Sequence, residues 1–251
     1  MGTSFRIAAH VHVCVTGDGS VVLDLKRDKY LGLGPLESEL LAGVVIGWPT
    51  PSWTPVLDGV GTREEEARRL CESLAADGLL ASGSGATTMP AIEQVRVDMQ
   101  SDWVSVGDEL EVRSRLRSQH VLRFIWAYLT AWYSIRRRPL LETVETVRAK
   151  KRCGSGVLQA ARRGDPEDIF RVAAMVDVFR RLRPWVFAPE GRCLVHALTL
   201  VNFSRSWQVY PDWVIGVSTQ PWGAHSWVQW GNFLIDTNPE KVCQFTPILV
   251  V

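Results

Sequence analysis

The sequence predicts an α+β chain made of two units and a linker. Three observations predict it. Short alternating apolar runs bounded by Gly and Asp open the chain, helical spacing fills it from about residue 115 to 183, and strand-like runs return near its end. Between the first unit and the helices lies SGSGATTMP, Ser82 to Pro90, which is small, polar and free of periodicity. The expected division is a first unit over residues 1–82, a linker of uncertain structure over 83–111, and a second unit over 112–251.

The first unit reads as a three-stranded meander followed by two helices. HVHVCVTG alternates about an apolar face, and the turn Gly17 to Ser20 suits a tight hairpin. VVLDL and KYLGL follow, joined at Lys26 to Asp28. Pro35 opens a helix, PLESELLAGVVI, where the first turn tolerates a missing N–H. The Trp/Pro-rich stretch GWPTPSWTP, Gly47 to Pro55, breaks the chain. A second helix then starts at TREEEARRL. Thr62 is its expected N-cap, and Glu64 to Glu66 complement the positive end of the helix dipole. Ala67, Leu70, Cys71 and Leu74 share one face, and Gly78 ends the helix.

The helical middle breaks at Pro139, at Gly154–Gly156 and at Gly164–Pro166. Its most apolar run, Val121 to Ile135, is too short to span a bilayer and contains Arg123, so it predicts a buried or half-buried helix. The basic cluster Arg136 to Arg138 is expected to cap or solvate that helix's end, which favours cations. Another helix begins at GRCLVHALTLVNF, Gly191 to Phe203, and the strands PDWVIGVST, GAHSWVQW and NFLIDT follow it.

Composition narrows the function. A 46% hydrophobic fraction supports packed cores, and 28 basic against 27 acidic residues give no reason to expect nucleic acid. The start of the chain lacks a charged region followed by a long apolar core, so no signal peptide is expected. Five cysteines, an odd number with no CxxC, argue against a structural zinc site and fit reduced thiols in a cytoplasmic setting.

The chemistry gathers in the last sixty or so residues. Cys193 lies at the first turn of a helix beside Arg192, His225 near the start of a strand, and Asp236 at the end of the next strand. A helix N-terminus with an adjacent cation lowers a thiol's pKa and yields the thiolate nucleophile. An imidazole takes the thiol proton and returns it to the leaving amine; a carboxylate holds that imidazole in its tautomer. If the last two strands form a hairpin, His225 and Asp236 lie side by side and one hydrogen bond can join them. Backbone N–H groups at the helix start are the expected oxyanion donors. His196, three residues past Cys193 on the same helix, competes as base. It has little freedom to address the thiol and an external partner together, so it is expected to be packed or half-exposed. A buried, inert cysteine is the ordinary alternative, and a metal site built on Cys193, His196 and His225 is a weaker one.

The run CLVHAL…VIGV…PWGAHSWVQWGNFLIDT resembles the C-terminal half of lasso-peptide biosynthesis B proteins. These are papain/transglutaminase-like cysteine peptidases of α+β fold that remove the leader from lasso precursors. The matching positions are Cys193, Ile215–Val217, Ala224–Val228 and Asp236. Ser226 stands where alanine is usual, and Gln229 where glutamate is usual. VVLDLKRDKYLGLG with the two helices after it is similar to the winged-helix-like, PqqD-like recognition element of peptide-modifying enzymes, here fused to the peptidase.

The resemblance implies a catalytic Cys193, His225 and Asp236, with leader capture by β-augmentation. An extended leader would pair with the edge of the strand Lys29 to Leu33 and lay its side chains in a groove against the helix from Thr62 to Leu80. Tyr30, Leu31, Leu33, Ala67, Leu70 and Leu74 are the candidate leader-binding residues, though strand parity lets only part of this set face the groove. The same residues can equally form the module's own core. The implied partners are a precursor peptide and an ATP-dependent, asparagine-synthetase-like lasso cyclase. The chain itself has no GxxxxGK[ST] loop, so no nucleotide, other cofactor or metal of its own is expected. Two other functions use the same residues differently: a transglutaminase-like acyl transferase would pass the acyl group to an amine, and a non-catalytic chaperone would only present the precursor.

Overall fold

In the computed structural model the described residues are 4–51, 63–82, 104–106, 112–155, 166–187, 192–231 and 233–251. Among them no helix is long and apolar enough to cross a membrane. The protein is α+β and divides into two compact units: residues 1–97 with 217–223 and 246–248, and residues 98–216 with 224–245 and 249–251.

The first unit begins with β1 (Phe5–Ile7), then β2 (Val11–Thr16), β3 (Gly19–Asp24) and β4 (Lys29–Leu33). The meander β2-β3-β4 is antiparallel throughout, as its alternation predicts. Thr16 pairs with Gly19, so Gly17 and Asp18 alone make the first turn, and Thr16 Oγ1 donates to Asp18 Oδ1 at 3.0 Å. The second turn is held by Asp24, whose carboxylate accepts from the backbone N–H of Lys26 at 2.9 Å and of Arg27 at 3.3 Å. Because β3 is central and buried on both faces, β4 is an edge strand.

Helix α1 (Pro35–Val44) carries proline at its start, and the Glu37 carboxylate accepts from the Gly34 N–H at 2.9 Å. Strand β5 (Val45–Ile46) follows it, and β5, β1 and β6 (Leu80–Ser82) form a second small sheet that periodicity had not indicated. Between β5 and β6 runs α2 (Arg63–Ala76), with Glu64 to Glu66 in its first turn. Gly78, at φ 74, closes α2 and lets Leu79 N–H reach the Leu74 carbonyl at 2.9 Å. Thr62, the second half of the Trp/Pro-rich connection from Ser52 to Pro55, and the linker residues 83–90 lie outside the described residues. Phe5, Val13, Val22, Leu41, Trp48, Cys71 and Leu74 belong to one core.

The second unit starts with β7 (Val104–Val106), inside the stretch expected to be linker. Then come α3 (Ser118–Arg137), α4 (Leu140–Ser155) and α5 (Pro166–Leu182), which runs into a 3-10 turn at Arg183–Trp185. Pro139 separates α3 from α4, as proline's missing N–H requires. Helix α6 (Cys193–Ser204) is apolar around most of its circumference and correspondingly buried from Ala197 onward, apart from Asn202. Phe124 of α3, Phe179 of α5 and Phe203 of α6 meet edge-on or tilted with centroids 5.5 to 6.0 Å apart, and this aromatic trio locks the three helices together.

Helix α3 is half-buried. It buries Phe124, Ala127 and Ala131 and leaves Leu122, Trp126, Leu129 and Tyr133 exposed on the opposite face. At its end Arg136 lies over the Trp132 ring at 5.7 Å and Arg138 over Tyr133 at 5.8 Å, so the basic cluster covers aromatic surface as well as the helix's negative end.

The strands β8 (Asp212–Thr219), β9 (Trp222–Trp230), β10 (Phe233–Ile235) and β11 (Thr246–Val250), with α7 (Pro239–Val242) before the last, build a sheet in the order β11-β8-β9-β10-β7. β10 runs antiparallel to β9 and parallel to β7. Ser226 and Gln229, the two departures from the resembling family, are buried and serve tryptophans: Ser226 Oγ accepts from Trp213 Nε1 at 2.7 Å, and Gln229 Oε1 from Trp227 Nε1 at 3.1 Å. Gly216 on β8 leaves room for that core. A Cβ there would sit 2.7 Å from the Trp227 ring and 3.0 Å from Phe245 Cβ. Gly216→Ala is therefore expected to cost about 1–3 kcal/mol and to lower the melting temperature by about 2–4 °C per kcal/mol, read by thermal denaturation. An unchanged melting temperature would show that the indole yields freely.

Candidate active site

Cys193 is the first residue of α6, half-buried, with Arg192 in the cap position. The N–H groups of a helix's first turn have no partners within the helix, so the thiol shares its end of α6 with backbone donors. Cys14 and Cys71 are buried, and burial pushes the Cys14 thiol up to about 12. Cys153 and Cys243 are exposed. Among the described residues, Cys193 is the one cysteine lining a cavity of about 870 Å³ that also contains His196, His225 and Asp236.

Asp236 directly follows β10, and its φ of 55 turns the chain out of the strand. The Asn238 side chain then caps α7 by accepting from Glu240 N–H at 2.9 Å. The Asp236 side chain is 2% exposed and collects three donors. Arg183 Nη1 donates to Oδ1 and Oδ2, each at 2.8 Å; Arg180 Nε donates to Oδ1 at 3.1 Å; His196 Nε2 lies 3.1 Å from Oδ2. Burial by itself raises a carboxyl's pKa, but here the His196 bond and the Arg183 guanidinium outweigh it and hold Asp236 below the usual range.

His225 is not among the partners of Asp236. The register explains this: Ile235 pairs with Val228, so the next step places Asp236 across from Trp227, two residues beyond His225. His225 instead sits between aromatic rings, stacked 6.2 Å from Trp227 and tilted 5.2 Å from Phe245. Its Nε2 is buried and makes no hydrogen bond among the described residues. Burial first, then the positive charge of Lys241 and the neighbouring His196, lowers its pKa to about 4, so His225 is neutral at physiological pH. His196 is packed, as expected, with its ring edge-on to Phe179 at 5.4 Å and to Phe187 at 5.0 Å. Its bond to Asp236 was not foreseen.

Arg180 and Arg183 also escaped the sequence reading. Their only local signal is their position at the C-terminal end of a helix, and Asp236 lies 56 and 53 residues away. Among the described residues no group of three or more His, Cys, Asp or Glu is placed to hold a metal ion, so Cys193, His196 and His225 are not brought into a ligand set.

The candidate leader-binding residues divide by burial. Leu33, Ala67 and Leu74 are buried, Leu33 and Leu74 within the first unit's core, with Leu70 packed partly against it. Tyr30 is partly buried, and Leu31, on the β4 edge strand, is 39% exposed.

Residues 131–250 match the transglutaminase-like superfamily and form a transglutaminase-like domain. That superfamily includes cysteine peptidases and acyltransferases. No curated protein and no solved structure matches the chain.

Proposed function

We propose that the protein is a cytoplasmic leader peptidase of lasso-peptide maturation, a cysteine hydrolase fused to a PqqD-like, winged-helix-like recognition element. The observation that carries the catalytic half is the buried, unpartnered Nε2 of neutral His225 in the cavity that Cys193 lines. A buried nitrogen without a partner costs free energy and calls for a role; here that role is to accept the thiol proton. The Cys193 thiolate attacks the scissile carbonyl, the first-turn N–H groups of α6 receive the oxyanion, and His225 returns the proton to the leaving amine. The core peptide leaves as that amine and passes to an ATP-dependent macrolactam synthetase, and water then hydrolyses the thioester and releases the leader. Asp236 holds the arginine side of the cavity in place and keeps its negative charge.

A second reading has one specific observation in its favour. Asp236 bonds His196, the arrangement by which a carboxylate orients a catalytic imidazole. His196 would then be the base. An acyl transferase would share the thioester, and product mass separates it from a hydrolase: hydrolysis yields free leader and core, transfer a linked product.

The recognition half rests on the edge of β4, which among the described residues pairs with β3 alone. An extended leader added there gains backbone hydrogen bonds, with Leu31 accessible beside it. Leu31→Asp is expected to weaken precursor binding at least about tenfold without moving the melting temperature. Fluorescence anisotropy of a labelled precursor measures it, and wild-type affinity in the variant would remove β4 as the capture site.

A further inference from the structure

The cavity at Cys193 is strongly unbalanced in charge. Among the described residues Arg180, Arg183, Arg192 and Lys241 line it, against the single carboxylate of Asp236. That carboxylate is 2% exposed, while the Arg183 and Arg180 side chains above it are 43% and 28% exposed. The carboxylate is thus spent inward, on the arginines and His196, and the cavity surface is left cationic. Arg192 and Lys241 are exposed and make no ion pair among the described residues. Arg192 directly precedes the thiol, and Lys241, on α7, is close enough to bear on the protonation of His225. Among the described residues these two cations therefore face the reacting centre without a protein counter-charge, in a concave site where fields of one sign are focused.

We propose that this cavity binds an anionic group of the substrate, the carboxylate side chain of a peptide residue close to the scissile bond, through Arg192 and Lys241. The assignment deepens the peptidase reading and rests on it for the word substrate. The anion site itself is a property of the cavity. It sets specificity by charge: a peptide bearing Asp or Glu at that position gains two cationic partners, whereas Lys or Arg there is repelled by the same two cations.

The test uses two small alkylating agents of nearly equal size, iodoacetate and iodoacetamide, on the full chain. Each forms a carbon–sulfur bond to the thiolate and releases iodide, so their rate ratio cancels the thiolate fraction and leaves the effect of probe charge. Peptide mass mapping follows Cys193. The iodoacetate-to-iodoacetamide ratio is expected to exceed that of N-acetylcysteine amide by about tenfold, and to fall toward it in Arg192→Gln, in Lys241→Gln and in about 0.5 M NaCl. Both substituted residues are on the surface, so folding is preserved. A ratio equal to that of the free thiol, or one unmoved by both substitutions, overturns the anion site even if the protein cleaves peptides. A raised ratio that the variants abolish, in a protein that hydrolyses no peptide, keeps the anion site and overturns the peptidase reading. With cleavage established, replacing Glu by Gln near the scissile bond is expected to raise KM at least about fivefold, and the Lys241→Gln enzyme to lose that discrimination.

Discussion

Replacing Cys193 with alanine is expected to abolish precursor cleavage, a fall of at least about 10³-fold in kcat/KM, while precursor binding and the melting temperature stay as in the wild type. Cys193 is half-buried and opens α6 without contributing to the buried run that begins at Ala197, so losing its sulfur removes little packing. No other thiol can take its place. Cys14 and Cys71 are buried, and Cys153 and Cys243 lie outside the cavity. Mass spectrometry of a co-encoded precursor peptide, incubated with each protein in the presence and absence of the synthetase, gives the result directly. Retained cleavage by the variant would end the peptidase reading. Loss of cleavage with binding intact would separate capture from chemistry and dismiss the chaperone alternative.

His225→Asn is expected to cost about 10²- to 10⁴-fold in kcat/KM, because an amide cannot take up the thiol proton. The pH profile carries the sign. In the proposed mechanism the active base is the neutral imidazole, and burial with Lys241 and His196 nearby holds its pKa at about 4. Activity is therefore expected to persist through the range where an ordinary histidine protonates, near pH 6.5, and to fall only as pH drops through about 4. Removing the positive charge in Lys241→Gln should move that limb upward. His196→Asn keeps a donor toward Asp236, so a mainly structural His196 predicts a lower melting temperature with a loss of less than about tenfold. The opposite pattern, His196→Asn inactive and His225→Asn nearly normal, would assign the base to His196.

Much of the fold was legible because its causes are local. Gly17 and Asp18 make a two-residue hairpin turn, Glu64 to Glu66 sit at a helix start, Gly78 ends a helix at positive φ, and Pro139 divides two helices. Each depends on residues within a few positions of one another. What escaped notice was non-local or too short for periodicity to register. Strand β7 is three residues long, and so is β1, which pairs with a two-residue strand on one side. Burial also divides the candidate leader-binding residues: Leu33, Ala67 and Leu74 repeat at spacings that suit a groove and a core equally, and only packing across elements tells these apart.

The site divides in the same way. The sequence by itself determined the setting of Cys193, the proposed nucleophile, since a cysteine at the first turn of an apolar helix, after an arginine, follows from neighbouring residues alone. It also placed His225 and Asp236 on successive strands. Only the tertiary structure decided which groups the buried carboxylate holds. Asp236 leaves its strand at φ 55 and meets the end of α5 and the flank of α6, so its charge goes to Arg183, Arg180 and His196 and not to His225. A buried carboxylate takes the strongest donors within reach, and no pattern along the chain records which donors, 40 to 56 residues away, folding will bring there.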